Sequence, residues 1–309
     1  MKDKDAVATG LTAGIVAFLI WGLAPLYFKA LQHIPATEIL AHRSLWSLVL
    51  ALLVLALLGK LPDLYATLCD RQRLLTLVLS TLLIGSNWLV FIWAINSARV
   101  TEASLGYYIN PLLNILLGIV FLGERFRPLQ WAAVAMAGVG IAHELWQFGR
   151  LPLVALFLAT SFGFYGLVRK RAPVESLTGL AVETLLMFPL AVGYLLWSDS
   201  PTSNLLDNTA AMNGLLLFAG PLTLTPLLLF NIAARRLNLS TVGFLQYIGP
   251  TLMLALAVLL FGEPFNPDKA VTFLLVWLGL TLYTADALLQ RRRTRSQREL
   301  APKIPNIQK

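Results

Sequence analysis

The sequence predicts an all-α membrane protein: ten transmembrane helices, built as two inverted five-helix repeats. Three observations carry this. The chain is too apolar for water to cover it, with 57% of its 309 residues hydrophobic and only 13% charged; a typical soluble domain carries about 25% charged residues. Its apolar runs are of helix length, near the ~20 residues that cross hydrocarbon. They lack the ten-residue alternation of barrel strands, and helices and closed barrels alone satisfy the backbone in lipid. Finally, one passage occurs twice. Residues 107–126, YYINPLLNILLGIVFLGERF, and residues 246–265, QYIGPTLMLALAVLLFGEPF, match without a gap at an offset of 139, with eight of twenty positions identical.

The ten expected spans are 8–30, 37–58, 73–95, 101–122, 128–147, 151–169, 176–197, 212–234, 240–261 and 267–289. The first exceeds the apolar core of a signal peptide and lacks a small-residue cleavage site, so it reads as a retained span. The second follows Pro35 and carries its own charges. A polar link containing Cys69 separates it from the third. That cysteine is the only one in the chain, which excludes an intrachain disulfide. The fourth span ends at Gly123 and the fifth opens on Pro128, where a missing N–H costs nothing. The sixth ends in Arg169, Lys170 and Arg171. The seventh and eighth flank the longest polar connection, 198–211. The ninth repeats the fourth, and the tenth runs into a basic tail. The expected organisation is therefore 1–148 and 149–290 as the two repeats and 291–309 as a cytoplasmic tail.

Lys and Arg set the orientation. With the N-terminus inside, 19 of the 24 basic residues fall in inside segments, four in outside segments or span ends, and Arg43 within a span. This bias is the positive-inside rule, and it puts both termini in the cytoplasm. The net charge of +8 is spread between apolar runs and over the tail. It forms no basic folded face, so nucleic acid is not an expected partner. The expected partners are the lipid bilayer, a small-molecule cargo and protons.

An offset of 139 residues advances five spans, an odd number, so the two copies cross the membrane in opposite directions. Inverted repeats recur in secondary transporters, with the site between the halves near the midplane. Gly-Glu-x-Phe-x-Pro reads as turn chemistry. Gly123 and Gly262 end helices, Glu124 and Glu263 face the N-terminus of the next helix, and Pro128 and Pro267 open it. Pro111 and Pro250 lie about ten residues into their spans. There a proline removes a backbone hydrogen bond and kinks the helix; packing alone could explain the pair, and a matched pair is also what a gate would need. Gly10 and Gly14 form a small-residue face for close helix approach.

The segments FLIWGLAPLYFK (18–29), EILAHRSLWS (38–47), IGSNWLVFIWAIN (84–96), EASLGYYINPLLNILLG (102–118), FLGERF (121–126), FYGLVRK (164–170) and STVGFLQYIGPTLMLALAV (240–258) cover nearly the whole chain in order. The sequence thereby resembles the EamA group of the drug/metabolite transporter superfamily. The resemblance implies ten helices and an inner-membrane permease exporting small metabolites or drugs, with no defined cargo. The tail beyond Arg293 departs from it.

Polar residues within spans supply the candidate site. Glu38 and His42, four apart, share a helix face, and Arg43 is turned about 100° from His42. The trio fits a proton carrier or an anchor for a substrate carboxylate, against the alternative of a structural ion pair. Glu183 in the seventh span is a proton-coupling candidate, with pairing to Arg43 as the rival. Asn87, Asn110, Asn114, Tyr108, Gln246 and Tyr247 could orient a polar cargo or bond neighbouring helices. Trp88 and Trp46 could stack an aromatic or apolar cargo, against the alternative of packing or interfacial anchoring. No Walker loop, H-E-x-x-H, G-x-S-x-G, C-x-x-C or G-x-G-x-x-G occurs, and His33, His42 and His143 are scattered, so neither cofactor nor metal is expected. Without a nucleotide site, uphill transport would draw on a proton gradient or on exchange. The rival classes are a membrane sensor or scaffold, which has no use for intramembrane charge, and an intramembrane enzyme, for which a nucleophile or paired-carboxylate centre is missing.

Overall fold

The structure, a computed structural model, describes residues 2–97, 99–198, 200, 202–262 and 267–300, and every regular element among them is a helix. In order these are α1 (Lys2–Ala30), α2 (Ala36–Leu57), α3 (Leu61–Cys69), α4 (Arg71–Asn96), α5 (Val100–Leu122), α6 (Pro128–Phe148), α7 (Leu153–Arg171), α8 (Ser176–Trp197), α9 (Ala210–Arg236), α10 (Leu239–Gln246), α11 (Ile248–Leu259) and α12 (Pro267–Leu300).

Eight stretches among the described residues are helical, long and apolar enough to cross a membrane, α10 and α11 together forming one of them, Leu239–Leu259. The fifth and tenth expected spans are helical as well, but less apolar. The 21-residue α6 dilutes its apolar face with Gln130, His143, Glu144 and Gln147. In α12 the apolar part is Ala270–Asp286, and the helix runs on through basic sequence to Leu300.

Local chemistry explains most boundaries. Gly123 and Gly262 adopt left-handed backbone, with φ of 66° and 68°, where a Cβ would be strained. Pro128 opens α6, and the Gln130 side chain accepts from the Arg127 N–H at 3.0 Å. Asp70 starts α4 by accepting from the N–H groups of Gln72 and Arg73 at 2.9 and 3.0 Å. The expected polar link between the second and third spans is itself partly helical. Pro62 lies in the first turn of α3 and Asp63 favours its N-terminal dipole, leaving Cys69 exposed at its end.

The two matched prolines have different consequences. α5 continues unbroken through Pro111. At Pro250 the missing N–H would have served the Gln246 carbonyl, and the helix is interrupted there: α10 ends at Gln246 and α11 begins at Ile248. Glu263 lies outside the described residues.

The helices form two compact units, residues 1–124 with 151–264, and residues 125–150 with 265–309. This grouping reflects packing, not sequence repetition. The second unit pairs α6 with α12. Gly140 and Gly279 bring the two backbones together, and Arg127 forms an ion pair with Asp286. The first unit holds the other ten helices around a core that includes Phe18, Leu55, Leu77, Ile84, Tyr165, Leu180 and Phe230. Phe18, Trp21, Phe162, Tyr165 and Phe230 form an aromatic cluster joining α1, α7 and α9. Gly10 and Gly14 lie against Leu237 and Leu245, at the end of α9 and in α10.

Without a large hydrophobic driving force between helices in lipid, close backbone approach does much of the holding. At Gly220 in α9 an added Cβ would stand 2.6 Å from the Trp46 carbonyl carbon in α2. Ser47 also donates to the Gly220 carbonyl at 3.2 Å. A Gly220→Ala chain must push α2 from α9, and we expect it to lose about 1–3 kcal/mol of stability, read as a lower unfolding temperature in detergent.

Candidate functional site

All of the candidate site residues lie in the first unit, where they sort into three groups. In the first, α2 carries Glu38 and His42 one turn apart, both buried, with His42 Nε2 4.0 Å from Glu38 Oε1. Thr202, in the α8–α9 loop, donates to Glu38 Oε1 at 2.5 Å. Trp46 Nε1 donates to His42 Nδ1 at 3.3 Å, so a neutral ring carries its hydrogen on Nε2, facing the carboxylate. Glu38 Oε2 and His42 Nε2 are buried and without hydrogen-bond partners. Arg43 points elsewhere, as one further residue of helix requires. Its Nε donates to Thr223 Oγ1 of α9 at 2.8 Å, and its guanidinium lies 5.0 Å from the Trp88 ring and 5.9 Å from the Phe28 ring.

A second group surrounds Glu183. Its partner is Arg169, at 3.4 Å, not Arg43. Ser80 donates to Glu183 Oε1 at 2.5 Å and Tyr165 to Oε2 at 3.3 Å, while Asn231 donates to the Tyr165 oxygen at 3.0 Å. Arg169 Nη2 also reaches the Ser176 carbonyl at 3.0 Å. The guanidinium packs on the α8 backbone at Gly179, where a Cβ would stand 2.6 Å from Cζ. Both charged side chains are buried, so Glu183 is not a lone carboxylate. In the sequence Arg169 reads only as the first of three cytoplasmic charges. Nothing there marks which of Arg169, Lys170 and Arg171 turns inward; only the small Gly179, four residues before Glu183, hints at a place for a guanidinium.

The third group is the amide seam. Asn87 donates to the Leu158 carbonyl and to Ser161 Oγ of α7, at 2.8 and 2.9 Å. Asn110 donates to the Ala159 carbonyl of α7 at 2.9 Å. Asn114 donates to Asn110 Oδ1 at 3.1 Å and to Gln246 Oε1 at 2.8 Å. The two doubled passages are thereby in direct contact. An added Cβ at Gly243 would lie 2.6 Å from the Pro111 carbonyl oxygen, so α5 and α10 touch backbone to backbone. Tyr247 is buried with its hydroxyl unpartnered, and Tyr108 is half-buried on α5.

Glu124 departs from its expected role. It does not serve the start of α6. Its carboxylate accepts from the N–H groups of Leu239 and Ser240, at 2.6 and 3.1 Å, and from the Ser240 hydroxyl, at the N-terminus of α10. Gly118 makes room, since a Cβ there would stand 2.7 Å from Glu124 Oε2. The physical logic of a carboxylate at a helix N-terminus holds, but the helix lies 115 residues further along the chain, which no local spacing announces.

The chain matches the model of the EamA-like transporter family twice, over residues 8–143 and 151–285. It is 50% identical over 287 residues to an "Uncharacterized transporter" of Vibrio cholerae, covering 93% of this chain and 95% of that protein. It is 48% identical over 293 residues to "Protein RarD" of Escherichia coli K12, covering 94% and 99%. A "Chloramphenicol-sensitive protein RarD" of Pseudomonas aeruginosa is 31% identical over 93% of this chain. A solved crystal structure shares the fold at a TM-score of 0.68, with 19% identity, over 90% of this chain and 98% of its own.

Proposed function

Because this chain belongs to the EamA-like transporter family, as a RarD-type member, we propose that it is a secondary transporter that moves a small molecule across the bacterial inner membrane by alternating access. The protein is a multi-pass membrane transporter; its cargo, mechanism and coupling are the proposal. Ten spans in two inverted repeats, divided near residue 149 and followed by a basic tail, are supported by the paired family matches and by the alternation of basic segments. On this orientation Glu38, His42 and Arg43 lie toward the outer face, and Arg169, Glu183 and Glu124 toward the cytoplasm.

The observation that carries the reading is the intramembrane Glu38–His42–Arg43 group. Buried ionisable groups in a span are costly and mark pathways or proton relays. Glu38 Oε2 is left without a partner and is able to take up a proton, beside a His42 ring whose Nδ1 accepts from Trp46 and whose Nε2–H faces the carboxylate. Glu183, held by Arg169, Ser80 and Tyr165, is fixed rather than free. Coupling is therefore assigned to Glu38 and His42, and exchange of two cargoes is the other route by which flux could be driven. The seam amides Asn87, Asn110, Asn114 and Gln246, with Tyr108, Tyr247, Pro111 and Pro250, form the surface that shifts as the halves rock. A scaffold or sensor has no use for the unpaired charge.

In proteoliposomes, an imposed pH gradient should change the flux of a transported cargo several-fold. His42→Gln and Glu38→Gln should abolish that response while leaving exchange of labelled for unlabelled cargo. Flux indifferent to the gradient in the parent protein would rule out proton coupling. Folded variants that keep a normal response would move the proton site elsewhere.

A further inference from the structure

Arg43 is a charge inside a span for which the described residues supply no counter-ion. Glu38 is engaged with Thr202 and faces His42, and Glu183 is engaged with Arg169. Among the described residues, the one hydrogen bond Arg43 makes is to a neutral hydroxyl, Thr223 Oγ1. It uses Nε and leaves the two Nη groups, the forked end that binds a carboxylate with two parallel bonds. Trp88 and Phe28 turn aromatic rings toward the guanidinium. One cation suits a monoanion better than a dianion. The rings around it can cover a flat apolar body. An unpaired guanidinium at membrane depth is expensive to keep, and a counter-ion that arrives with the cargo would offset that cost.

We infer that Arg43 is the anion anchor of the cargo site, and that the cargo is a small organic carboxylate whose apolar body lies against Trp88 and Phe28. Thr223 is the positioning residue, fixing Nε so that the forked end is presented. This rests on the transporter reading and names the cargo class for the same site.

The test is ligand-induced thermal stabilisation of the purified full-length protein, with benzoate, phenylacetate and 2-naphthoate against their primary amides and against acetate. The aromatic carboxylates should stabilise, while the amides and acetate should not. Arg43→Lys should raise the half-saturating concentration at least tenfold, and Thr223→Val several-fold. Trp88→Leu should bring stabilisation by the aromatic acids down toward that of acetate, which keeps the idea testable if an Arg43 variant fails to fold. Equal stabilisation by acids and amides overturns the inference, as does no stabilisation by any acid, or unaltered binding in Arg43→Lys and Thr223→Val. Carboxylate binding that survives without flux in proteoliposomes would remove the transporter reading and leave the anion site in place; flux of a neutral cargo with no acid bound would do the reverse.

Discussion

Replacing Glu183 with leucine while Arg169 remains should cost about 3–5 kcal/mol of stability, and much of that loss should return when Arg169 is replaced with methionine in the same chain. The asymmetry comes from where the charge is left. Arg169 is wholly buried, and its carboxylate partner lies 3.4 Å away. With Glu183 gone, the guanidinium keeps only the Ser176 carbonyl, and Arg235 acts on the same region as a like charge. It cannot move away, because α8 closes on it at Gly179. Glu183→Gln separates charge from hydrogen bonding. The amide can still engage Ser80 and Tyr165, yet it leaves Arg169 uncompensated, so it should cost nearly as much as leucine. Unfolding of the two single variants and the double variant in detergent, read as a double-mutant cycle, checks this. Strictly additive losses, or a benign glutamine, would show that the network is held by its hydrogen bonds and not by the ion pair.

That network also marks how far the sequence could be read. Membrane class, helical content and most helix boundaries were legible because they depend on local features: run length, Gly123 and Gly262 at left-handed positions, Pro128 at a first turn. The pairing of Glu38 with His42 was legible for the same reason, since four residues make one helical turn. Partners from distant parts of the chain were not. Glu183 finds Arg169 and Glu124 finds Ser240 through helix packing, and no spacing within one helix encodes which neighbour will come alongside. The prolines show the same limit. Pro111 and Pro250 occupy matching places in the doubled passage, yet only the second interrupts its helix. Between the copies Asn110 stands against Gly249 and Asn114 against Met253. The first copy holds its neighbours with amides to Ala159 and Gln246, whereas the second has no side-chain amide at those two places.

Glu124→Ala should open the seam between α5 and α10 where α5 ends. The carboxylate joins two segments that belong to different family matches, residues 8–143 and 151–285. It does so with three hydrogen bonds to the first turn of α10. Around it, Arg171 donates to the Phe121 carbonyl, and Lys170 to the carbonyls of Ala234 and Leu237. Cations thus face the C-termini of α5 and α9 while an anion faces the N-terminus of α10, each the sign that the helix dipole favours. Hydrogen bonds to a charged group contribute about 1.5–3 kcal/mol. A net loss of about 2 kcal/mol from the closed form would multiply the open population by about 30. Leu117, buried with Leu167 and Leu239 beneath this contact, offers a reporter. In a Cys69→Ser background, Leu117→Cys should react slowly with an impermeant thiol reagent applied from the cytoplasmic side. Adding Glu124→Ala should speed the reaction at least tenfold, with Glu124→Gln in between because its amide keeps one acceptor oxygen. If Glu124→Ala lowered the unfolding temperature without changing the labelling rate, the carboxylate would be a helix cap that only stabilises the fold. Faster labelling from the outer face alone would reverse the membrane orientation while preserving the latch. Labelling that rises from the inside, and falls again when an aromatic carboxylate is bound at Arg43, would tie the latch to the cargo site as two ends of one moving seam.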